Sequence, residues 1–411
     1  MGKTSDFRRA TALELFAGAG GLALASKKAG LQTAGLIERD ELACATLLAN
    51  KRALGIDSNE AVHNVALEAG ASKNFSGDFD LLIGGPPCQP FSRAGHRQGH
   101  RDHRDMFPVF TEFVHRHKPK AFVIENVVGL QSNKCLNYFT KVISSLAKSG
   151  QKTPFLLNLV DGVPELGRTR PSYRVYFKIL NAADYGVAQN RSRLFIIGLR
   201  SDLELEWNWP LATHSRHALL QSKFISKDYF LRHDLPTICR SMGETENLKK
   251  VLSRSSSSHL KPHVTVRDAL SDLPHPQSPD AAEFLNHVFI PGARSYVGHT
   301  GSDWDEPAKT IKAGVHGCPG GENSVKLNKD SIRYFTVREL ARLQGFPDHY
   351  NFVGTRNQCV RQIGNAVPVE LGIAVIKSVM TLLNTQSKRS IQRESHSISS
   401  RPERLVARDS D

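Results

Sequence analysis

Between residues 12 and 200 the chain repeats one pattern, a short apolar run followed by a turn and a stretch with helical spacing. The runs read ALELF, TAGLIE, DFDLLIGG, KAFVIENV, VYFKILNA and RLFIIGL, with GGLALASKKAG and ELACATLLANKRALG between the early ones. Alternation of this kind predicts an α/β fold, a largely parallel sheet with helices on both faces. The pattern breaks after Trp209-Pro210. Residues 205–330 are rich in Lys, Arg, His and Ser and show little periodicity, which predicts a smaller, irregular domain inserted after the sheet. Helical spacing resumes in TVRELARLQGFPD and in VPVELGIAVIKSVMTLL, the second expected to pack back on the first domain.

The first run leads into a glycine-rich turn, LELFAGAGGLALA, in which Gly18, Gly20 and Gly21 precede a helix. A strand, a glycine turn and a helix form a cradle for an adenosine-containing ligand. Gly18-x-Gly20-x-x-Ala23 fits the dinucleotide fingerprint, and Glu38 follows about twenty positions on, where a carboxylate can accept from ribose hydroxyls. These residues alone leave NAD, FAD and S-adenosylmethionine open.

A formal net charge of +14 favours a polyanionic partner, nucleic acid or an anionic membrane surface. The start, MGKTSDFRRA, lacks the apolar core of a signal peptide. No apolar stretch approaches the ~20 residues needed to cross a bilayer, so a cytoplasmic protein is expected. The six cysteines are scattered without a CxxC pair, against both a zinc site and a disulfide framework.

Only Cys88 has a neighbourhood that asks for chemistry. PPCQ, Pro86 to Gln89, follows an apolar run and fixes the backbone before a basic loop. FVIENV then places Glu125 and Asn126 at the end of another run, on the rim where α/β sheets bind ligands. A thiolate and a proton-donating carboxylic acid are the pair needed to attack an electron-poor ring while protonating it elsewhere. QNRSR supplies Arg191 and Arg193, suited to orienting a carboxylate or holding a base carbonyl or phosphate.

In order along the chain stand FxGxGG (Phe16–Gly21), PPCQ, ENV (Glu125–Val127), QxRxR (Gln189–Arg193), RELARLQGFP (Arg338–Pro347) and GNAVP (Gly364–Pro368). This set resembles the C5-cytosine-specific DNA methyltransferases, over nearly the whole chain. The resemblance implies an S-adenosylmethionine-dependent, Rossmann-like catalytic and cofactor-binding domain over 1–204. A target-recognition domain would occupy 205–330, a return to the catalytic domain 331–385, and a basic, disordered tail 386–411. Phe16 would pack on the adenine, Gly18 and Gly20 would let the backbone approach the methionine part, Gly21 would also bind the cofactor, and Glu38 would hold the ribose. Asn64 would stand where the family usually offers an Asp to the adenine amino group, and Asn365 would close the pocket.

By the same resemblance Cys88 Sγ adds to C6 of cytosine while Glu125 shares a proton at N3. Arg193, with Arg191 in support, steadies the base carbonyl and Glu125. Gln89, Ser92, Arg104 and Asn126 would meet the substrate. Phe91 to about Arg104 would be a mobile loop closing over a cytosine flipped from double-stranded DNA, with Arg93, Arg97, Arg101 and Arg104 at phosphates. The implied enzyme is a monomer, the modification partner of a restriction endonuclease, located in the bacterial cytoplasm at the nucleoid. A tRNA cytosine-5 methyltransferase would share the PPCQPF loop, but the Cys-Phe-Thr signature of that branch is absent from the sequence. An NAD-linked oxidoreductase would account for the glycine turn and Glu38 and for none of the other motifs.

Overall fold

The computed structural model describes residues 9–87, 105–147, 172–236, 259–294, 300–313, 323–327 and 331–399, with side chains of the last helix described as far as 385. The strands of the main sheet are β1 (Thr11–Leu15), β2 (Gln32–Glu38), β3 (Val62–Asn64), β4 (Leu81–Gly84), β5 (Ala121–Asn126), β6 (Tyr173–Asn181) and β7 (Ser192–Arg200). All but β3 coincide with an apolar run. The first part of the chain also carries α1 (Gly21–Lys28), α2 (Glu41–Ala49), α3 (Lys51–Leu54), α4 (Phe107–His117) and α5 (Leu136–Ala147). Residues 205–330, expected from the sequence to be an inserted segment, contain α6 (Arg216–Phe224), α7 (Asp228–Arg232) and α8 (Val266–Leu270). After it come α9 (Val337–Leu343), α10 (Arg356–Asn365) and α11 (Val369–Ser399).

The seven strands lie in the order β3-β2-β1-β4-β5-β7-β6. The pairs from β3 to β5 are parallel, whereas β7 runs antiparallel to both β5 and β6. Because β1 has β2 on one side and β4 on the other, the sheet grows outward in both directions from β1. The crevice at the carboxyl ends of such a pair is where open α/β sheets take ligands.

Both faces are covered, which is why the strands read as continuous apolar runs. On one face Phe107, Phe110 and Phe113 of α4 and Phe139, Val142 and Leu146 of α5 pack on Leu13, Leu82, Phe122 and Ile196. On the other, Leu22 and Ala25 of α1 and Leu371, Val375 and Val379 of α11 cover Ala12, Ile83, Val123 and Ile197. Each large aliphatic or aromatic side chain buried this way contributes about 1.5–3 kcal/mol.

Two expectations are corrected here. An apolar window within Arg356–Thr385 does have the length and composition to cross a bilayer, but 61% of it is buried inside the protein, where it covers the sheet. The segment expected to begin a disordered tail at 386 instead continues α11 as helix to Ser399.

The inserted segment has a small core of its own, Leu219, Tyr229 and Phe230. Much of the rest is shared. Val266 and Leu270 of α8, with Ala308, Ile311 and Val325, pack in one cluster with Ala17, Ala19 and Leu47 near the glycine turn and Leu340 and Phe346 near α9.

Candidate active site

A cavity of about 640 Å³ opens at the carboxyl ends of β1, β2, β4 and β5, a size suited to a cofactor-like ligand. Its wall brings together Phe16, Gly18, Gly21, Glu38, Pro86, Pro87, Glu125, Asn126 and Asn365 from distant parts of the chain. Gly20, Arg191 and Arg193 are not among the residues that line it. Asn64 is exposed at the end of β3, opposite Glu38 in register, and is not in the wall.

The turn after β1 is built from left-handed residues. Phe16 has φ 59°, Gly18 φ 54° and Gly20 φ 83°. For a bulky side chain such as Phe16 that conformation is uncommon and costs about 1–3 kcal/mol. Bonds from Ala17 N to Ile37 O and from Gly20 N to Ala17 O, each 3.0 Å, hold it in place. A Cβ on Gly18 would meet nothing within 4 Å, so that side of the turn is open. Gly20 and Gly21 are glycines for a different reason. A Cβ at Gly20 would lie 2.6 Å from Tyr350 Oη and 2.8 Å from a Leu47 methyl, and one at Gly21 2.5 Å from Val367 O. The returning C-terminal segment therefore seats directly on the turn. Gly20→Ala is expected to destabilise the fold by about 1–3 kcal/mol through its positive φ and overpacking, read as a lower midpoint of urea unfolding.

Glu38 ends β2 at the cavity. Its Oε2 accepts from Gly18 N, and its Oε1 from Arg39 N and Asp40 N, each at 2.8 Å. The carboxylate is thereby fixed against the glycine turn. Asp40 caps α2 through Leu42 N and Ala43 N and pairs with Arg361 Nη2 at 2.9 Å. Glu14 was not singled out from the sequence, yet it lines the cavity and is only 3% exposed. Its carboxyl has no hydrogen-bond partner among the described residues. Burial, with the nearby Glu38 charge adding to it, holds that carboxyl well above the usual carboxylate range. The signal for it in the sequence was a lone acid inside the first apolar run.

On the opposite wall Glu125, one residue before the end of β5, is buried. Arg193 Nε meets its Oε1 at 2.9 Å. Burial raises the Glu125 carboxyl above its ordinary value; the positive charges of Arg193 and then Arg191, and the hydrogen bond from Arg193, oppose this without cancelling it. Arg191 does not touch Glu125. Its guanidinium is spent on three backbone carbonyls, those of Ile311, Gly364 and Ala366. The two arginines of QxRxR thus divide: Arg193 faces the carboxylate, whereas Arg191 ties segments together and reaches Glu125 only through its charge.

Asn126 Nδ2 donates to Pro86 O at 2.9 Å, while its Oδ1 accepts from Val127 N at 2.8 Å. Across the same opening Met106 N donates to Pro87 O at 3.3 Å, and Tyr138 Oη donates to Asp105 Oδ1 at 2.5 Å. The stems on either side of residues 88–104 are therefore joined at the cavity rim. Cys88, which follows directly on the wall residue Pro87, lies outside the described residues, as do Gln89, Ser92, Arg104 and the expected loop from Phe91.

This sheet order and rim cavity define an α/β protein with the fold of solved methyltransferases. The Dnmt2 methyltransferase of S. pombe is similar, with a TM-score of 0.56 and 19% identity, covering 92% of this chain and 100% of that one. So is the Entamoeba histolytica methyltransferase EhMeth, with a TM-score of 0.52 and 15% identity over 92% of this chain and 98% of that chain. In sequence, the Type II methyltransferase M.Sau96I of Staphylococcus aureus is 32% identical over 90% of this chain and 76% of its own length. M.Eco47II of Escherichia coli is 33% identical over 92% and 81% respectively. Residues 10–381 match the description C-5 cytosine-specific DNA methylase, and the chain belongs to that family. It is a DNA (cytosine-5-)-methyltransferase, and its family implies methyl transfer that depends on S-adenosylmethionine.

Proposed function

We propose that this enzyme methylates C5 of one cytosine within a short double-stranded sequence, as the modification partner of a restriction endonuclease. The Type II names of its relatives support that setting. The observation that carries the chemistry is Glu125, a buried carboxyl of raised proton affinity held by Arg193 at the rim, beside the proline pair that leads into Cys88.

The cavity residues fit S-adenosylmethionine. Glu38 offers a fixed carboxylate for the ribose hydroxyls, Phe16 a ring for the adenine, and the open side of Gly18 room for close approach. Glu14 supplies a buried carboxyl for the ammonium of the methionine part. Asn365 contributes from the returning segment. The bound cofactor supplies an electrophilic methyl group.

The chain's own residues prepare the base. A cytosine inside a duplex must leave the stack to be reached. Cys88 attacks C6 as thiolate, forming the C–S bond and breaking the C5–C6 double bond. Glu125 gives a proton to N3, so charge does not build on the ring as C5 becomes nucleophilic. After C5 is methylated, its proton passes to solvent, the C–H electron pair re-forms the C5–C6 double bond as Sγ leaves as thiolate, and N3 returns its proton to Glu125, which restores the ring. Arg193 holds Glu125 in line with the base edge. The inserted segment, 205–330, would read base edges in the major groove, and a monomer suffices for flipping one base. The enzyme would act in the bacterial cytoplasm.

Methyl-labelled S-adenosylmethionine with mixed-sequence duplex DNA, followed by bisulfite mapping, tests this reading. 5-Methylcytosine at one short motif, absent with Cys88→Ala, is the expected result. Label appearing in a tRNA pool and not in DNA would overturn it.

A further inference from the structure

Two carboxamides and a guanidinium, none of them in the cavity wall, meet immediately behind it. Gln189 and Gln344 are fully buried and Arg191 is 1% exposed. Gln344 Nε2 donates to the carbonyls of Ile363 and Ala366 at 3.0 and 2.6 Å. Arg191 Nη2 reaches the same Ala366 carbonyl at 3.2 Å and that of Gly364 at 2.6 Å. Asn365 and Ala366 line the cavity. One stretch of wall backbone is thus gripped from behind by two side chains that share an acceptor.

The grip extends to the inserted segment. Ile311 N donates to Gln189 Oε1, and Ile311 O accepts from Arg191 Nη1, both at 3.0 Å. Ala308 N bonds Ala188 O at 2.9 Å and Asn190 N bonds Ala308 O at 2.8 Å, so residues 308–311 run beside the stretch that leads into β7. The two amides also fix each other's orientation. With Oε1 accepting from Ile311 N, Gln189 can turn only its Nε2 toward Gln344, whose Oε1 accepts that bond. The Nε2 of Gln344 must then face Ile363 and Ala366. A backbone N–H of the inserted segment therefore sets which way the donor behind the cofactor wall points.

We propose that Gln344, with Gln189 and Arg191 behind it, is a positioning residue for the cofactor: it seats the Ile363–Ala366 wall and makes that seating depend on the docking of the inserted segment at Ile311. It touches neither the cofactor nor the target base. The proposal rests on the reading of the cavity as the S-adenosylmethionine site.

Gln344→Met keeps the shape while removing both donors and the acceptor. S-Adenosylhomocysteine binding by calorimetry, steady-state kinetics and thermal melting are compared with wild type and with Leu219→Ala, a core truncation in the separate small cluster of the inserted segment. We expect the Kd for S-adenosylhomocysteine and the KM for S-adenosylmethionine to rise roughly tenfold in Gln344→Met, with kcat changed less than about threefold. Leu219→Ala should lower the melting temperature and leave the Kd alone. Gln189→Met, which leaves Gln344 its two carbonyls, should shift the Kd in the same direction by a smaller factor, and it decides the matter if Gln344→Met does not fold. Wild-type Kd in both glutamine variants, or a fall in kcat with Kd and KM unchanged, would overturn the proposal. A wild-type enzyme that bound no S-adenosylhomocysteine would remove the cavity reading itself, and the proposal with it.

Discussion

Glu125→Gln is expected to slow methyl transfer by about 10²–10⁴-fold, the usual contribution of a positioned general acid, while S-adenosylhomocysteine still binds. The amide keeps the volume and can donate an N–H, but it has no proton to transfer to N3. Because burial outweighs the opposing charges of Arg193 and Arg191, the Glu125 carboxyl keeps its proton to higher pH than an ordinary carboxylate. The acid is the active form, so the wild-type rate should decline as pH rises through that elevated value. The same decline should be missing from the residual rate of the glutamine variant. Arg193→Met removes the nearest opposing charge and should move the decline further toward alkaline pH. A Gln variant within about threefold of wild type would take the proton-donor role from Glu125.

The largest expected loss of stability lies away from the chemistry, at Glu339. Its Oε2 accepts from Arg333 Nη1 at 2.7 Å and from Thr336 N at 2.8 Å, and its Oε1 from Arg333 Nη2 at 2.6 Å. The side chains are 6% and 2% exposed for Arg333 and Glu339, so solvent screens the pair little. Glu339 is also half of the capping box that starts α9. Glu339→Ala would leave a buried guanidinium without its counter-charge and α9 without its reciprocal cap, a cost of about 3–5 kcal/mol. Arg333 and Glu339 replaced together by Met and Leu should lose much less, since no uncompensated charge remains. Chemical denaturation of both variants checks this, and equal losses would show that the ion pair itself carries the stability.

How much of this was legible in the sequence depended on the range of the interaction. Strands covered on both faces are continuous apolar runs, and six of the seven could be read directly; β3, with three residues, is too short to carry a pattern. The pairing of β7 with β5 joins distant segments, which no local signal encodes. Phe16, Glu38 and Glu125 line the cavity because each stands at or beside the carboxyl end of a strand, where the fold itself makes the rim. At Gly20 the positive φ and the closeness of Tyr350 also require a glycine, a constraint no local signal reveals. The motif presents Arg191 and Arg193 as equals; only the third dimension brings Ile311, Gly364 and Ala366 against one and Glu125 against the other. Asn64 lies opposite Glu38 at the end of β3, exposed and outside the wall, in a strand too short to carry a pattern of its own.

The seating of the C-terminal segment on the glycine turn also sets an order of assembly. Tyr350 Oη donates to Ala19 O across 331 positions of sequence, and Thr46 Oγ1 to Gln362 Oε1 across 316. Contacts of such separation form late, because the chain between them must first be brought into place. During synthesis the first strands and α1 can emerge and pair, but the far side of the cavity cannot exist until residue 367 has left the ribosome. A nascent chain therefore carries the turn and Glu38 as an unclosed half-site, and the capacity to modify DNA arrives only with the last stretch of the catalytic fold.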